Sequence, residues 1–323
     1  MTEQDLATVE VAVIGGGAAG LSGALTLGRM RRSVVVIDEG RPRNAPAEGV
    51  HGYLSRDGIP PQELLRCGRE EVTGYGVRIL TGRVAAVARE ATAFRLELGD
   101  GSVLRARRLL VTTGMTDALP EVPGVRERWG RDVLHCPFCH GWEVRDQAIG
   151  VLATTPMAAH QAQLLRLLSD DVTVFTHSTG GFDETVAGPL RARGIRLMDG
   201  RVEGLVVEAD RLTGVRLADG TEVPVQALAV GPPWTLNLAG LEGLGLRTVE
   251  HPTGFGEVLE VDANGRTSVP GVWAAGTVAN PTAQVSTSVA AGAWAGATIV
   301  ASLLEDTIEQ AVEEARLVAG SAA

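Results

Sequence analysis

Two of the three cysteines in this 323-residue chain lie in HCPFCHGW, residues 135–142, as Cys136 and Cys139 with His140 directly behind them. The C-x-x-C-H string matches covalent haem attachment, offers His135, Cys136, Cys139 and His140 to a zinc ion, and suits a redox disulfide; its thiols could also simply be packed. Haem of this type is normally installed outside the cytoplasm. Zinc is poorly served, because adjacent His-Cys pairs do not converge easily on one tetrahedral ion and no second C-x-x-C or H-x-x-x-H completes a set. A redox disulfide requires an electron carrier beside it.

Composition narrows the setting. With 45% hydrophobic residues the chain can bury two ordinary cores. The formal charge is −10 and all 29 basic residues are arginine, which argues against a nucleic-acid partner and against Schiff-base catalysis. MTEQDLATVE is acidic and runs into a strand-like VEVAVI without the basic and apolar regions of a secretory signal, so we expect a cytoplasmic protein. VSTSVAAGAWAGATIVASLL is rich in small residues and reads as a buried helix rather than a membrane span, so no membrane partner is expected. In a reducing cytosol a close cysteine pair points to catalysis or metal binding.

Residues 9–40, VEVAVIGGGAAGLSGALTLGRMRRSVVVIDEG, read as strand, glycine turn, helix, strand and terminal acid, the full dinucleotide fingerprint in context. Gly15 permits the tight turn, Gly17 lets the backbone approach a pyrophosphate at the helix N-terminus, and Gly20 allows close helix–strand packing. Asp38 is placed to accept ribose hydroxyls. Residues 147–177 repeat the plan without its chemistry: Ala153, Thr155 and Ala158 stand at the fingerprint positions and Pro156 follows.

Residues 268–304, SVPGVWAAGTVANPTAQVSTSVAAGAWAGATIVASLL, together with VTTGMTDALPEVPG at 111–124, resemble the low-molecular-weight thioredoxin reductases over essentially the whole chain. That resemblance implies FAD, a homodimer, and an α/β fold of two Rossmann-like three-layer (ββα) domains. The FAD domain, 1–117 and 246–323, is interrupted by a nucleotide-binding-like domain, 118–245, carrying the C-x-x-C. It implies a cofactor set of Gly15, Gly17, Ala18, Gly20, Asp38, Glu39, Arg43, Asn44, His51, Val84, Gly114, Gly276, Thr277, Gln284, Val285 and Ser286. Thr277 departs from the aspartate usual in the family. After the second strand of the repeat, Thr176-His177-Ser178 replaces an arginine-rich segment for the 2′-phosphate, and no arginine follows until Arg191. We therefore expect weak or no binding of a nicotinamide donor.

With an FAD site in one domain and the pair in the other, the pair is best read as a redox disulfide. By the resemblance, Cys139 faces the flavin and Cys136 exchanges with substrate. His140 replaces an aspartate, and a group of ordinary pKa about 6.5 accepts a thiol proton far more readily near neutrality than a carboxylate near 3.9. C-x-x-C-H-G-[YW]-E with a degraded nicotinamide turn is similar to the FAD-dependent dithiol oxidases of the gliotoxin and holomycin type. This implies an oxidoreductase with catalytic Cys136, Cys139 and His140, a small dithiol as substrate and O2 as acceptor, giving H2O2. Two alternatives stand: a disulfide reductase fed by NAD(P)H or another donor, and an FAD protein that sequesters a thiol compound without turnover.

Other residues are weighed individually. Cys67 is expected as a packed side chain, His135 as a cap rather than a second base, and His51 either near the flavin or in a loop hydrogen bond. Trp142 is either a substrate wall or core. His160, His177 and His251 form no cluster, and EDTIEQAVEEARL reads as a helix with a solvated charged face.

Overall fold

A computed structural model describes residues 5–321; Met1–Gln4, part of the segment read for the absence of a signal, lie outside the described residues. Elements in chain order are β1 (Asp5–Ile14), α1 (Ala18–Arg29), β2 (Val34–Asp38), α2 (Pro61–Gly74), β3 (Arg78–Thr81), β4 (Val84–Arg89), β5 (Phe94–Leu98) and β6 (Val103–Val111). These strands form one sheet in the order β3-β2-β1-β6-β5-β4. β1, β2, β3 and β6 run parallel, whereas β4 and β5 return antiparallel as a hairpin. Val11, Ala12 and Val13 are fully buried, as a central parallel strand covered on both faces requires.

The chain then crosses through β7 (Met115–Asp117), α3 (Val125–Arg128), β8 (Val133–Leu134) and α4 (Pro137–His140). The second unit is built from β9 (Ile149–Leu152), α5 (Ala158–Leu165), β10 (Val172–Phe175), α6 (Glu184–Ala192), β11 (Arg196–Met198), β12 (Val202–Glu208), β13 (Arg211–Leu217), β14 (Glu222–Pro224) and β15 (Ala227–Val230). Its parallel sheet has the order β11-β10-β9-β15-β8, and β12-β13-β14 form a separate antiparallel layer. Sheet, β layer and helices give the three-layer plan, and β9-α5-β10 realises the internal repeat.

Return is through β16 (Trp234–Leu236), which pairs antiparallel with β7, then β17 (Thr248–Glu250), β18 (Glu257–Leu259), β19 (Val272–Ala274) and α7 (Val285–Ser321). β19 joins the first sheet beside β6, so both ends of the chain build one unit. α7 is long and apolar enough by composition to cross a membrane. Its small residues serve another purpose: a Cβ at Gly292 would lie 2.0 Å from the carbonyl oxygen of Ala19, so α1 and α7 approach backbone to backbone. Ala295, Ile299 and Leu303 are buried along this seam.

Candidate active site

The site lies at the C-terminal ends of β1, β2 and β6, where open parallel sheets leave a crevice for ligands. Gly15 takes a positive φ of 105° and is fixed by Ile37 O; Gly16 N–H donates to Asp38 Oδ1 at 3.0 Å. A Cβ at Gly20 would lie 1.9 Å from Gly15 O, so only glycine closes the turn onto the helix. At Gly17 a Cβ would meet nothing within 4 Å, because this position faces the open cleft. Among the described residues, no protein acceptor takes the N–H groups of Ala18 or Ala19 at the start of α1. That arrangement presents donors and a positive helix end to an anion.

The cleft has a volume of about 550 Å³. Its walls include Gly15, Gly17, Ala18, Asp38, Arg43, Asn44, His51, Gly114, Gly276, Thr277, Gln284 and Val285 from the first unit, and Cys136, Cys139 and His140 from the second. Thr113 Oγ1 is buried there without a partner. An open glycine, free helix N–H groups and an orphaned hydroxyl fit the diphosphate and polar edges of FAD.

Four expected cofactor residues, Gly20, Glu39, Val84 and Ser286, do not line the cleft. Val84 begins β4 three residues after Thr81, the partner of Asp38 in the sheet, and its side chain is buried in the hydrophobic core instead of lining the cleft. Glu39 pairs with Arg41, which lines the cleft, and does not itself reach the cleft wall. Ser286 is rotated off the cleft, since successive helix residues turn by about 100°; Ser288, one turn along from Gln284 and Val285, lines it instead. Gly20 serves packing rather than the cleft wall. Asp38 also pairs through Oδ2 with Arg69 of α2 at 2.9 Å, and Arg43 pairs with Asp117 at 2.6 Å. Arg69, Thr113 and Ser288 have no local signal in the sequence.

Cys136 and Cys139 form a disulfide with Cα atoms 5.2 Å apart. Cys136 precedes α4, Pro137 occupies its first turn, and the N–H groups of Cys139 and His140 donate to the carbonyl of Cys136 at 3.1 Å. Gly141 cannot be replaced, because a Cβ would lie 2.3 Å from Pro137 O and 2.4 Å from Leu168. Burial holds the His140 imidazolium below its usual range; Glu143 and Glu48 oppose this shift and His51 adds to it. Burial thus favours the neutral imidazole of His140, the form that can accept a proton.

His135 is a structural anchor: its Nδ1 lies 3.1 Å from Val230 O, and burial lowers its pKa. His51 bridges the units, with ring nitrogens 3.6 Å from Asp57 and 3.4 Å from Glu143. Trp142 is 64% exposed with Arg145 stacked on it at 4.2 Å, and Phe138 is 69% exposed, so an aromatic surface rather than core flanks the disulfide. Cys67 is half-buried on α2, 3.7 Å from Glu63.

The second turn is closed. Ala153 is fully buried, Thr154 Oγ1 donates to Gly231 O at 3.2 Å, and the N–H groups of Ala158 and Ala159 are taken by the carbonyls of Thr155 and Pro156. The donors left free in α1 are consumed in α5. His177 Nδ1 accepts from Val202 N–H, and the fold brings Arg201 near His177, a cation that the run from 176 to 191 does not reveal.

Residues 9–295 match the pyridine nucleotide-disulphide oxidoreductase family model. The chain is 34% identical over 283 residues to thioredoxin reductase tcpT of Claviceps purpurea, covering 83% of this chain and 86% of that protein. It is 33% identical over 297 residues to thioredoxin reductase sirT of Leptosphaeria maculans, covering 86% and 89%. Among solved structures, HlmI superposes with a TM-score of 0.91 at 44% identity, covering 96% of this chain and 98% of that one. An oxidoreductase from Agrobacterium tumefaciens superposes with a TM-score of 0.86 at 36% identity, covering 92% and 99%.

Proposed function

The chain belongs to the pyridine nucleotide-disulphide oxidoreductase family as a thioredoxin reductase-like FAD enzyme, and we propose that within it the protein is a dithiol oxidase. It converts a small dithiol to an intramolecular disulfide through Cys136–Cys139, with O2 as final acceptor and H2O2 as product. The observation carrying this reading is that the disulfide and His140 line the same cleft as the open turn of α1. The closed second turn supports it, since electrons then enter from thiols rather than from a nicotinamide.

FAD would be held by the Gly15–Ala19 turn, Asp38, Thr113 and the start of α7, and when bound it supplies a two-electron acceptor that oxygen can reoxidise. The chain's own residues do the sulfur chemistry. His140 takes the proton of the first substrate thiol, and the thiolate attacks Cys136, displacing Cys139 as a thiolate. The substrate's second thiol then attacks the mixed disulfide and leaves as the cyclic product. Phe138 and Trp142 offer an apolar surface to a small organic substrate.

A second reading, a disulfide reductase, is favoured by the names of the tcpT and sirT relatives. Oxygen-electrode measurements with dithiothreitol test the first: we expect sustained uptake with H2O2 formation, abolished in Cys136→Ser and Cys139→Ser although both stay yellow. No uptake in wild type, with rapid anaerobic bleaching by NADPH, would replace the oxidase by the reductase. Binding of a dithiol without turnover would leave a sequestering protein.

A further inference from the structure

Oxidation of one dithiol by disulfide exchange releases two thiol protons, and His140 can hold only one of them. A second histidine lines the same cleft. His51 sits on the loop between Val50 and Ile59, which is closed by the Val50 N–H to Ile59 carbonyl bond and shaped by Asp57, whose Oδ1 accepts the Gly52 N–H at 2.9 Å. One ring nitrogen lies 3.6 Å from that Asp57 oxygen, and the other lies 3.4 Å from Glu143 of the redox segment. The ring is 26% exposed, so a proton it holds has a route to water.

We propose that His51 is the second proton acceptor of the redox site, taking the proton of the thiol that resolves the mixed disulfide; this rests on the dithiol-oxidase reading. A neutral imidazole gains no ionic attraction from these carboxylates, whereas the cation has Asp57 and Glu143 at ion-pair distance, one on each side of the ring. The surroundings are therefore complementary to the protonated product of the transfer. His140 acts first: it takes the first S–H proton, the new sulfur–sulfur bond forms to Cys136, and the Cys136–Cys139 bond breaks. His51 acts second: it takes the other S–H proton, the substrate's second sulfur bonds to its first, and the bond to Cys136 breaks. Two electrons pass from the substrate to the cysteine pair, leaving two cysteine thiolates and two imidazolium ions, so the half-reaction balances without another reagent. The groups facing His51 are Asp57, Glu143 and the neighbouring His140, whose own cation a charged His51 disfavours.

Rapid acid quench and intact-mass spectrometry during reduction of the oxidised holoenzyme by dithiothreitol separate the two steps. In His140→Gln, formation of the covalent dithiothreitol adduct should slow by on the order of 10² to 10⁴. In His51→Gln the adduct should form at the wild-type rate and then accumulate about 10-fold or more above wild type, because resolution has lost its base. Glu143→Gln, which keeps His51 but removes one of its carboxylates, should show the same species in smaller amount. An unchanged adduct level in His51→Gln, or slowing of adduct formation as severe as in His140→Gln, would overturn the assignment and leave His51 a clasp between the units. A wild-type protein that exchanges with dithiothreitol but consumes no oxygen would instead overturn the oxidase reading while leaving the proton assignment to be judged on the adduct alone.

Discussion

Gln161 Nε2 donates to the backbone carbonyl of His135 at 2.5 Å, so the first helix of the nucleotide-like unit holds the residue immediately before Cys136. The His135 ring is tied in turn to Val230 O of β15. A helix whose first two N–H groups are already taken by the turn before it thus braces the redox segment. Gln161→Leu leaves this carbonyl without its partner at a site where Gln161 is buried, and should cost about 1–3 kcal/mol in urea unfolding with FAD content unchanged. A midpoint equal to wild type would mean that water replaces the amide.

The contrast between the two turns predicts cofactor selectivity. NADPH and NADH should show no binding tighter than micromolar by calorimetry, because the first two α5 N–H groups are taken and Ala153 is fully buried. Arg201 beside His177 supplies a single cation, which is not enough to replace a phosphate turn. A submicromolar dissociation constant would show that another surface serves the nucleotide, and would favour the reductase.

Two glycines of the first turn should fail differently. Gly17→Val should fold, since the position has φ −76° and open space around its Cβ, but should lose bound flavin because the side chain enters the cleft. Gly20→Ala places its Cβ 1.9 Å from Gly15 O and should lower the melting temperature and soluble yield. Far-UV circular dichroism with the flavin-to-protein absorbance ratio distinguishes the two; equal flavin loss with equal unfolding in both variants would show that Gly17 is also a packing position.

His140 predicts the pH dependence. Burial favours its neutral form, so its folded pKa lies below about 6.5 and the base is available at neutrality. Reduction by dithiothreitol, corrected for ionisation of dithiothreitol itself, should fall as pH drops through that lowered pKa and be level above it. His140→Ala should remove this acid limb and slow the reaction by on the order of 10² to 10⁴. Stopped-flow absorbance between pH 5 and 9 measures it; an acid limb that survives in the alanine variant would assign the ionisation to another group.

What the sequence alone determined was local. The Gly15–Gly17–Gly20 spacing, the β9-α5-β10 repeat and the Cys136-Pro137-Phe138-Cys139-His140 run are readable because turns and short helices impose their residue types within a few positions. The lost donors of the second turn are readable for the same reason. Expectations that needed the phase of a helix or the face of a strand are decided by packing: Ser288 rather than Ser286 lines the cleft, the Val84 side chain enters the core, and Glu39 pairs with Arg41. Tertiary structure alone decided the long-range partners. Arg69 reaches Asp38 across 31 positions, Gln161 reaches His135 across 26, and His51 of the first unit meets Glu143 of the second. None of these pairs has a period or spacing, because each arises where elements distant in sequence pack together, and burial in the folded chain is also what lowers the pKa of His140 beside the disulfide.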